Sequence, residues 1–313
     1  MSRSSVYLSA LSAALLPLLP SVALAHSTER SDSLWWAWSL DPWVAIPLAV
    51  AGLLHVIGLW RLARRGHSGK GARWRDALLF WLGWLASVLA LLSPLDALGD
   101  QLFSAHMLQH EVLMLLAAPL LVLGKPLPIW LWALPAPWRP RVAGATRNRV
   151  LSPLWSGCTR PLTAWIIHAV VLWIWHAPAL FEAAVGDGLV HTLQHLSFMG
   201  SALLFWWAMF DPRHGMIRPA ISALYLFTTA IHTSALGALL TFSRSIWYPV
   251  YADRAPAWGL SALEDQQLGG LIMWVPGGAV YLVVTLWLLA RLLAEPGKAP
   301  THQKATQVAR ERQ

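Results

Sequence analysis

The sequence predicts an all-α membrane protein, a polytopic bundle of seven transmembrane helices. Three observations carry that prediction. Of the 313 residues, 57% are hydrophobic and only 12% charged, against about 25% charged in an ordinary soluble domain. Several apolar runs approach the ~20 residues that cross a bilayer core. Most of the 23 Lys and Arg residues fall on one side of the alternating connections, the asymmetry that orients membrane helices.

The elements follow in order. Arg3, the apolar stretch Leu8 to Leu19 and the small residues Ala23-Leu24-Ala25 read as a signal peptide over residues 1–25. Residues 26–41 then form an extracytoplasmic segment. The transmembrane domain covers 42–293, with spans at roughly 42–60, 77–95, 103–123, 162–180, 189–210, 219–242 and 268–292. Arg61, Arg64, Arg65, Lys70, Arg73 and Arg75 follow span one, and Lys125, Arg139, Arg141, Arg147, Arg149 and Arg160 follow span three. Arg213 and Arg218 follow span five, and the polar tail 294–313 is again basic. These connections are cytoplasmic by the positive-inside rule, so the N-terminus is outside and the C-terminus inside. The segment Pro126 to Pro140 reads as too broken to span, lying in the inner interface with Trp130, Trp132 and Trp138 at headgroup level. The tail is expected to be disordered.

Composition also excludes functions. A single cysteine, Cys158, rules out an internal disulfide and a cysteine-rich metal site. The net charge of +8 resides in topology-setting loops and does not point to nucleic acid. No phosphate-binding glycine loop, zinc-protease motif or nucleophile elbow occurs, so nothing points to a hydrolase or an ATP-driven machine.

The polar residues inside the spans are mostly histidines. Two copies of one pattern stand out: His106-Met107-Leu108-Gln109-His110 and His191-Thr192-Leu193-Gln194-His195. In each, the imidazoles are four residues apart and share a helical face. Spans three and five both run inward, so both pairs fall in the first turns at the outer face. Span four runs outward and brings His176 to the same level. Ionisable groups inside a span are costly and usually functional. Neutral imidazole suits copper, zinc and iron, and thioethers favour Cu(I). His106, His110, His176, His191 and His195 are therefore candidate metal ligands. Met114 and Met199, about 12 Å below the first histidine of each pattern, Met273 and His232 are candidates for a softer relay. His55 and His168 lie deeper and read as interhelical hydrogen-bond partners.

Span seven opens Glu264-Asp265-Gln266-Gln267-Leu268-Gly269-Gly270 and continues Met273-Trp274-Val275-Pro276-Gly277-Gly278. Asp265 is expected to support a histidine or attract an incoming cation, with Glu111, Gln109 and Gln194 in similar roles. Gly269 and Gly270 permit close helix approach, and Pro276 bends the helix.

The stretch Ser104 to His110 through Ala118-Pro119-Leu120, together with Leu172-Trp173-Ile174-Trp175-His176-Ala177-Pro178, His191 to Phe198 and Asp265 to Gly278, resembles the signature of the seven-span CtaG-type cytochrome c oxidase assembly proteins. The resemblance covers about 42–293 and implies a factor for maturing haem–copper oxidase in the bacterial cytoplasmic (inner) membrane. Its partners would be oxidase subunits, a copper chaperone and the lipid bilayer. It implies that the family's histidines correspond to His106, His110, His176, His191 and His195, and its acidic position to Asp265. Copper is the expected cargo. A haem-binding, cytochrome b-like protein and a copper or small-cation transporter remain the alternatives at this level.

Overall fold

The computed structural model describes residues 36–64, 70–145, 148–210 and 218–294. The expected signal peptide, most of the extracytoplasmic segment, the Arg213 connection and the C-terminal tail lie outside the described residues. Among those described, the regular structure is entirely helical.

Helix α1 (Pro42–Arg64) starts where the Asp41 carboxylate accepts the Trp43 N–H at 3.0 Å, a proline-led cap. Helix α2 (Lys70–Leu91) ends four residues before the predicted 95. The cause is Ser93, whose hydroxyl accepts the Leu95 N–H and caps the short α3 (Pro94–Gly99); Pro94 cannot extend the preceding helix. Span three is continuous but mixed: α4 (Phe103–Glu111), a π-helical turn (Val112–Ala117) and α5 (Ala118–Leu123).

The segment after it, expected to be too broken to span, contains a short regular helix and no stretch of membrane-crossing length. Pro126 opens a regular helix, α6 (Pro126–Ala133), as proline at a first helical position does. It packs directly on α1: a Cβ on Gly58 would sit 2.1 Å from the Ile129 carbonyl oxygen. Arg61 donates to the carbonyls of Ala133 and Leu134 at 2.8 Å each. Trp130 and Trp132 are half-buried and Trp138 is exposed.

Helices α7 (Arg139–Ala145) and α8 (Leu151–Cys158) follow, and a 73° bend leads into α9 (Pro161–Trp175). The predicted fourth span stops at residue 175 instead of 180. Ala177 precedes Pro178 and is extended (φ −63°, ψ 126°), because a residue before proline is driven out of the helical region. Then come α10 (Pro178–Gly186), α11 (Gly188–Phe210), α12 (Arg218–Thr241), and finally α13 (Ala262–Ile272), a π turn (Met273–Gly277) and α14 (Gly278–Ala294). Pro276 lies inside that π turn, the distortion its missing N–H produces.

Among the described residues, five helical stretches are long and apolar enough to cross a membrane: Pro42–Arg64, Trp74–Leu91, Phe103–Leu123, Ala220–Thr241 and Ala262–Ala294. The bent α8–α9 pair makes a sixth if it is one span. Helix α11 has 23 residues, about 35 Å at 1.5 Å per residue, but His191, Gln194, His195, Ser197 and Ser201 lower its apolarity. The chain is a helical membrane protein. Leu82, Leu85, Leu89, Val283 and Leu286 are exposed, as lipid-facing side chains are. Met107, Phe198, Phe205, Trp206 and Leu226 form the buried centre.

Close approach of α13 to its neighbours uses the predicted glycine pair. A Cβ on Gly269 would meet the Phe103 ring at 2.4 Å, and one on Gly270 the Thr241 nitrogen at 2.6 Å.

Candidate metal centre

The first turns of α4 and α11 face each other. His106 and His110 rings are 4.4 Å apart, and His191 and His195 rings 4.3 Å apart, as i,i+4 spacing dictates. Between the helices, His106 lies 5.3 Å from His191 and 5.9 Å from His195, and His110 lies 5.2 Å from His195. Four imidazoles thus form one group. Within it, His106, His191 and His195 each offer a ligand atom within 4.8 Å of the other two. His106 and His195 are buried, and His191 is half-buried and forms the accessible side.

The nitrogens are mostly without partners. Nε2 of His191 and of His195 and both nitrogens of His110 are buried with no hydrogen-bond partner. His106 differs. Its Nε2 lies 3.2 Å from Gln194 Oε1, and its Nδ1 lies 3.5 Å from the Tyr251 hydroxyl. Tyr251 itself donates to the Gly99 carbonyl at 2.9 Å.

His176 flanks the group. Its Nδ1 lies 2.7 Å from the Leu172 carbonyl, which requires the proton on Nδ1 and leaves the lone pair on Nε2. That Nε2 is buried without a partner. The Phe198 ring touches both His110 (4.4 Å) and His176 (6.1 Å), so His176 meets the four through Phe198.

Asp265 is fully buried, and it bonds to no histidine. Its carboxylate accepts the Phe103 N–H at 2.6 Å, the Ser104 N–H at 3.1 Å and the Ser104 hydroxyl at 2.5 Å. This corrects the expectation of a histidine partner or a cation-attracting mouth: the last span caps the helix carrying His106. The reason is the register of α13, whose own start is capped locally by the reciprocal Ser261–Glu264 pair. That frees Asp265 to satisfy a neighbouring helix. Glu111 turns toward the last span as well. Its Oε2 lies 2.9 Å from where a Gly277 Cβ would be, and has no partner.

The relay candidates sit in apolar packing. Met114 and Met273 belong to the buried core, and Met199 packs against it. The Met114 carbonyl accepts from Trp206 Nε1 at 2.8 Å. His232 is half-buried beside Trp165 and Trp173. Of the two deeper histidines, His168 is an interhelical hydrogen-bond partner, with Ser201 at 3.1 Å and Tyr281 at 3.5 Å. His55 is not: it stacks on Phe80 at 3.8 Å, and neither nitrogen has a partner.

The loop between α12 and α13 carries no periodicity or motif that marks it as part of the site. Gln266 ties it down, accepting the Trp247 N–H at 2.6 Å and donating to the Ser245 carbonyl. It delivers Tyr251 to His106, and Tyr248, which donates to the His176 carbonyl at 2.8 Å. Burial pushes both phenols well above their usual range. Gln109 is likewise structural, donating to the Ala90 carbonyl and to Asp96, both at 2.8 Å. Burial raises the Asp96 carboxyl to about 6, against the opposing pull of the Gln109 amide.

Comparison with known proteins gives a consistent picture. The family model for the cytochrome c oxidase caa3 assembly factor (Caa3_CtaG) matches residues 53–295. Uncharacterized proteins of Mycobacterium bovis and Mycobacterium tuberculosis are each 30% identical over 270 residues, covering 83% of this chain and 38% of theirs. One of Mycobacterium leprae is 28% identical over 262 residues, covering 81% of this chain and 39% of its own length. The chain therefore spans well under half the length of these curated relatives. No solved structure matches it.

Proposed function

The chain belongs to the cytochrome c oxidase caa3 assembly factor family, and from that premise we propose that it binds copper at the His106–His191–His195 group and assists its delivery to an oxidase subunit. In this reading seven helices span the bacterial cytoplasmic membrane, α8–α9 and α11 included. The histidines open to the outer face, where a copper chaperone would load them, and the protein catalyses no reaction.

One observation carries the proposal: three imidazoles from two helices hold ligand atoms within 4.8 Å of one another, and Nε2 of His191 and of His195 is buried without a hydrogen-bond partner. Each buried polar atom left unbonded costs about 1–3 kcal/mol. A fold that carries several such atoms side by side gains them back when a cation takes their lone pairs. Neutral imidazoles fit copper or zinc, and the oxidase context favours copper.

The haem alternative has less support. The rings lie against one another and against Phe181 and Phe198, an arrangement suited to a small ion. A transport path has less still: His168 is already engaged by Ser201 and Tyr281, and His55 stacks on Phe80.

Purified full-length protein should take up one equivalent of Cu(I) in a chelator competition. His106→Ala should weaken uptake and lower oxidase activity in cells. Unchanged affinity with normal oxidase would reject the proposal, and a bis-histidine haem spectrum would replace it.

A further inference from the structure

His106 is the one member of the four-imidazole group with both ring nitrogens in contact with polar neighbours, and those contacts are chemically unequal. Gln194 Oε1 lies 3.2 Å from Nε2, and in this orientation of the amide a hydrogen bond between them places the ring proton on Nε2. Nδ1 then presents a lone pair to the Tyr251 hydroxyl at 3.5 Å. That hydroxyl has already given its proton to the Gly99 carbonyl. Nδ1 is thus poorly served, while the hydroxyl oxygen keeps lone pairs that would accept a proton from Nδ1. Gln194 is fully buried, and its own Nε2 has no partner, so its amide is held at the site chiefly through His106.

We propose that Gln194 competes with the metal for His106 Nε2, and that Tyr251 stabilises the alternative ring tautomer that binding requires. This rests on the copper reading above for its consequence, though not for its proton arrangement. On loading, the Nε2–H···Oε1 hydrogen bond breaks and a dative bond forms from Nε2 to the cation. The covalent Nε2–H bond breaks, an Nδ1–H bond forms in its place, and that N–H donates a hydrogen bond to the Tyr251 oxygen. The ring stays neutral and no net proton leaves. Gln194 and Tyr251 are positioning residues: they act through His106 and pull its proton in opposite directions. A neighbour that orients a metal-binding histidine in this way commonly sets its affinity.

The two residues therefore carry opposite signs. In full-length protein, Gln194→Leu should tighten Cu(I) binding about 3- to 10-fold, the worth of one neutral hydrogen bond. Tyr251→Phe should weaken it about tenfold. A purely structural role would weaken binding in both variants, and that result would overturn the proposal. Nitrogen-15 NMR of chelator-treated protein, with the His106 signal identified by its loss in His106→Ala, reads the tautomer with no metal present. The expected result is protonated Nε2 in wild type, shifting toward protonated Nδ1 in Gln194→Leu; an identical tautomer in both would also overturn it. Failure of the copper reading is visible separately, as a wild type that takes up no Cu(I) while the NMR result stands by itself.

Discussion

The two His-x-x-Gln-His copies are alike in spacing and unlike in support. The first, on α4, is anchored from afar. Asp265 of the last span caps its helix from a fully buried position, and Gln109 bonds to Ala90 and Asp96. The second, on α11, is anchored locally. Asp187 accepts the N–H groups of Leu189 and Val190 at an exposed helix start, and Gln194 reaches across to His106. The imidazoles divide in the same way: only His106 of the first copy joins the close trio, but both histidines of the second do. One copy is held by distant segments, and the other supplies two of the three clustered imidazoles together with Gln194. In the proposed reading, the same pattern serves as scaffold on one side and binding surface on the other.

The largest test of this asymmetry is ligand removal. Replacing His191 and His195 together by Ala should lower Cu(I) affinity by at least ~100-fold, whereas His110→Ala should cost no more than ~10-fold. Equal losses would erase the distinction. Next is the capping difference, read by unfolding in detergent. Asp265→Ala removes three hydrogen bonds to buried donors and should destabilise by about 3 kcal/mol. Asp187→Ala removes an exposed cap and should cost about 1 kcal/mol. The glutamines should differ less. Gln109→Ala is expected to cost about 2 kcal/mol, and Gln194→Ala under about 1 kcal/mol.

The smallest effect is in pH. Asp96 titrates at about 6 in the folded protein, above its ordinary 3.8, because burial disfavours its charge. A raised carboxyl means the folded state holds the proton more tightly. Its contribution is therefore complete below about pH 4 and is lost as pH rises through 6, on the order of 1–3 kcal/mol. Asp96→Asn should flatten that slope; an unchanged slope would remove Asp96 from the first copy's support.

The fold was legible where period and composition speak alone. Runs of apolar residues located the helices, and i,i+4 spacing located the histidine pairs. Pro94 and Pro178 marked helix ends at 91 and 175, and the apolar counts ran past both. What stayed hidden depends on contacts between segments far apart in the chain. From the sequence Asp265 reads as support for a histidine or an attractor of cations, and only the packing of α13 on α4 turns it into a cap. Tyr248 and Tyr251 sit in a loop without periodicity, and reach the site because Gln266 ties that loop down. His55 and His168 looked equivalent by depth, yet one faces Phe80 and the other Ser201 and Tyr281. Sequence gives the face of a helix and leaves its neighbour undetermined.

The central claim is that three imidazoles, one from α4 and two from α11, hold copper. X-ray absorption of the Cu(I)-loaded full-length protein tests it most directly, beside the His106→Ala, His191→Ala, His195→Ala triple variant. The expected result is a nitrogen-only first shell in wild type and no bound copper in the triple variant. A sulfur-containing shell, or one equivalent of copper retained by the triple variant, would contradict the account.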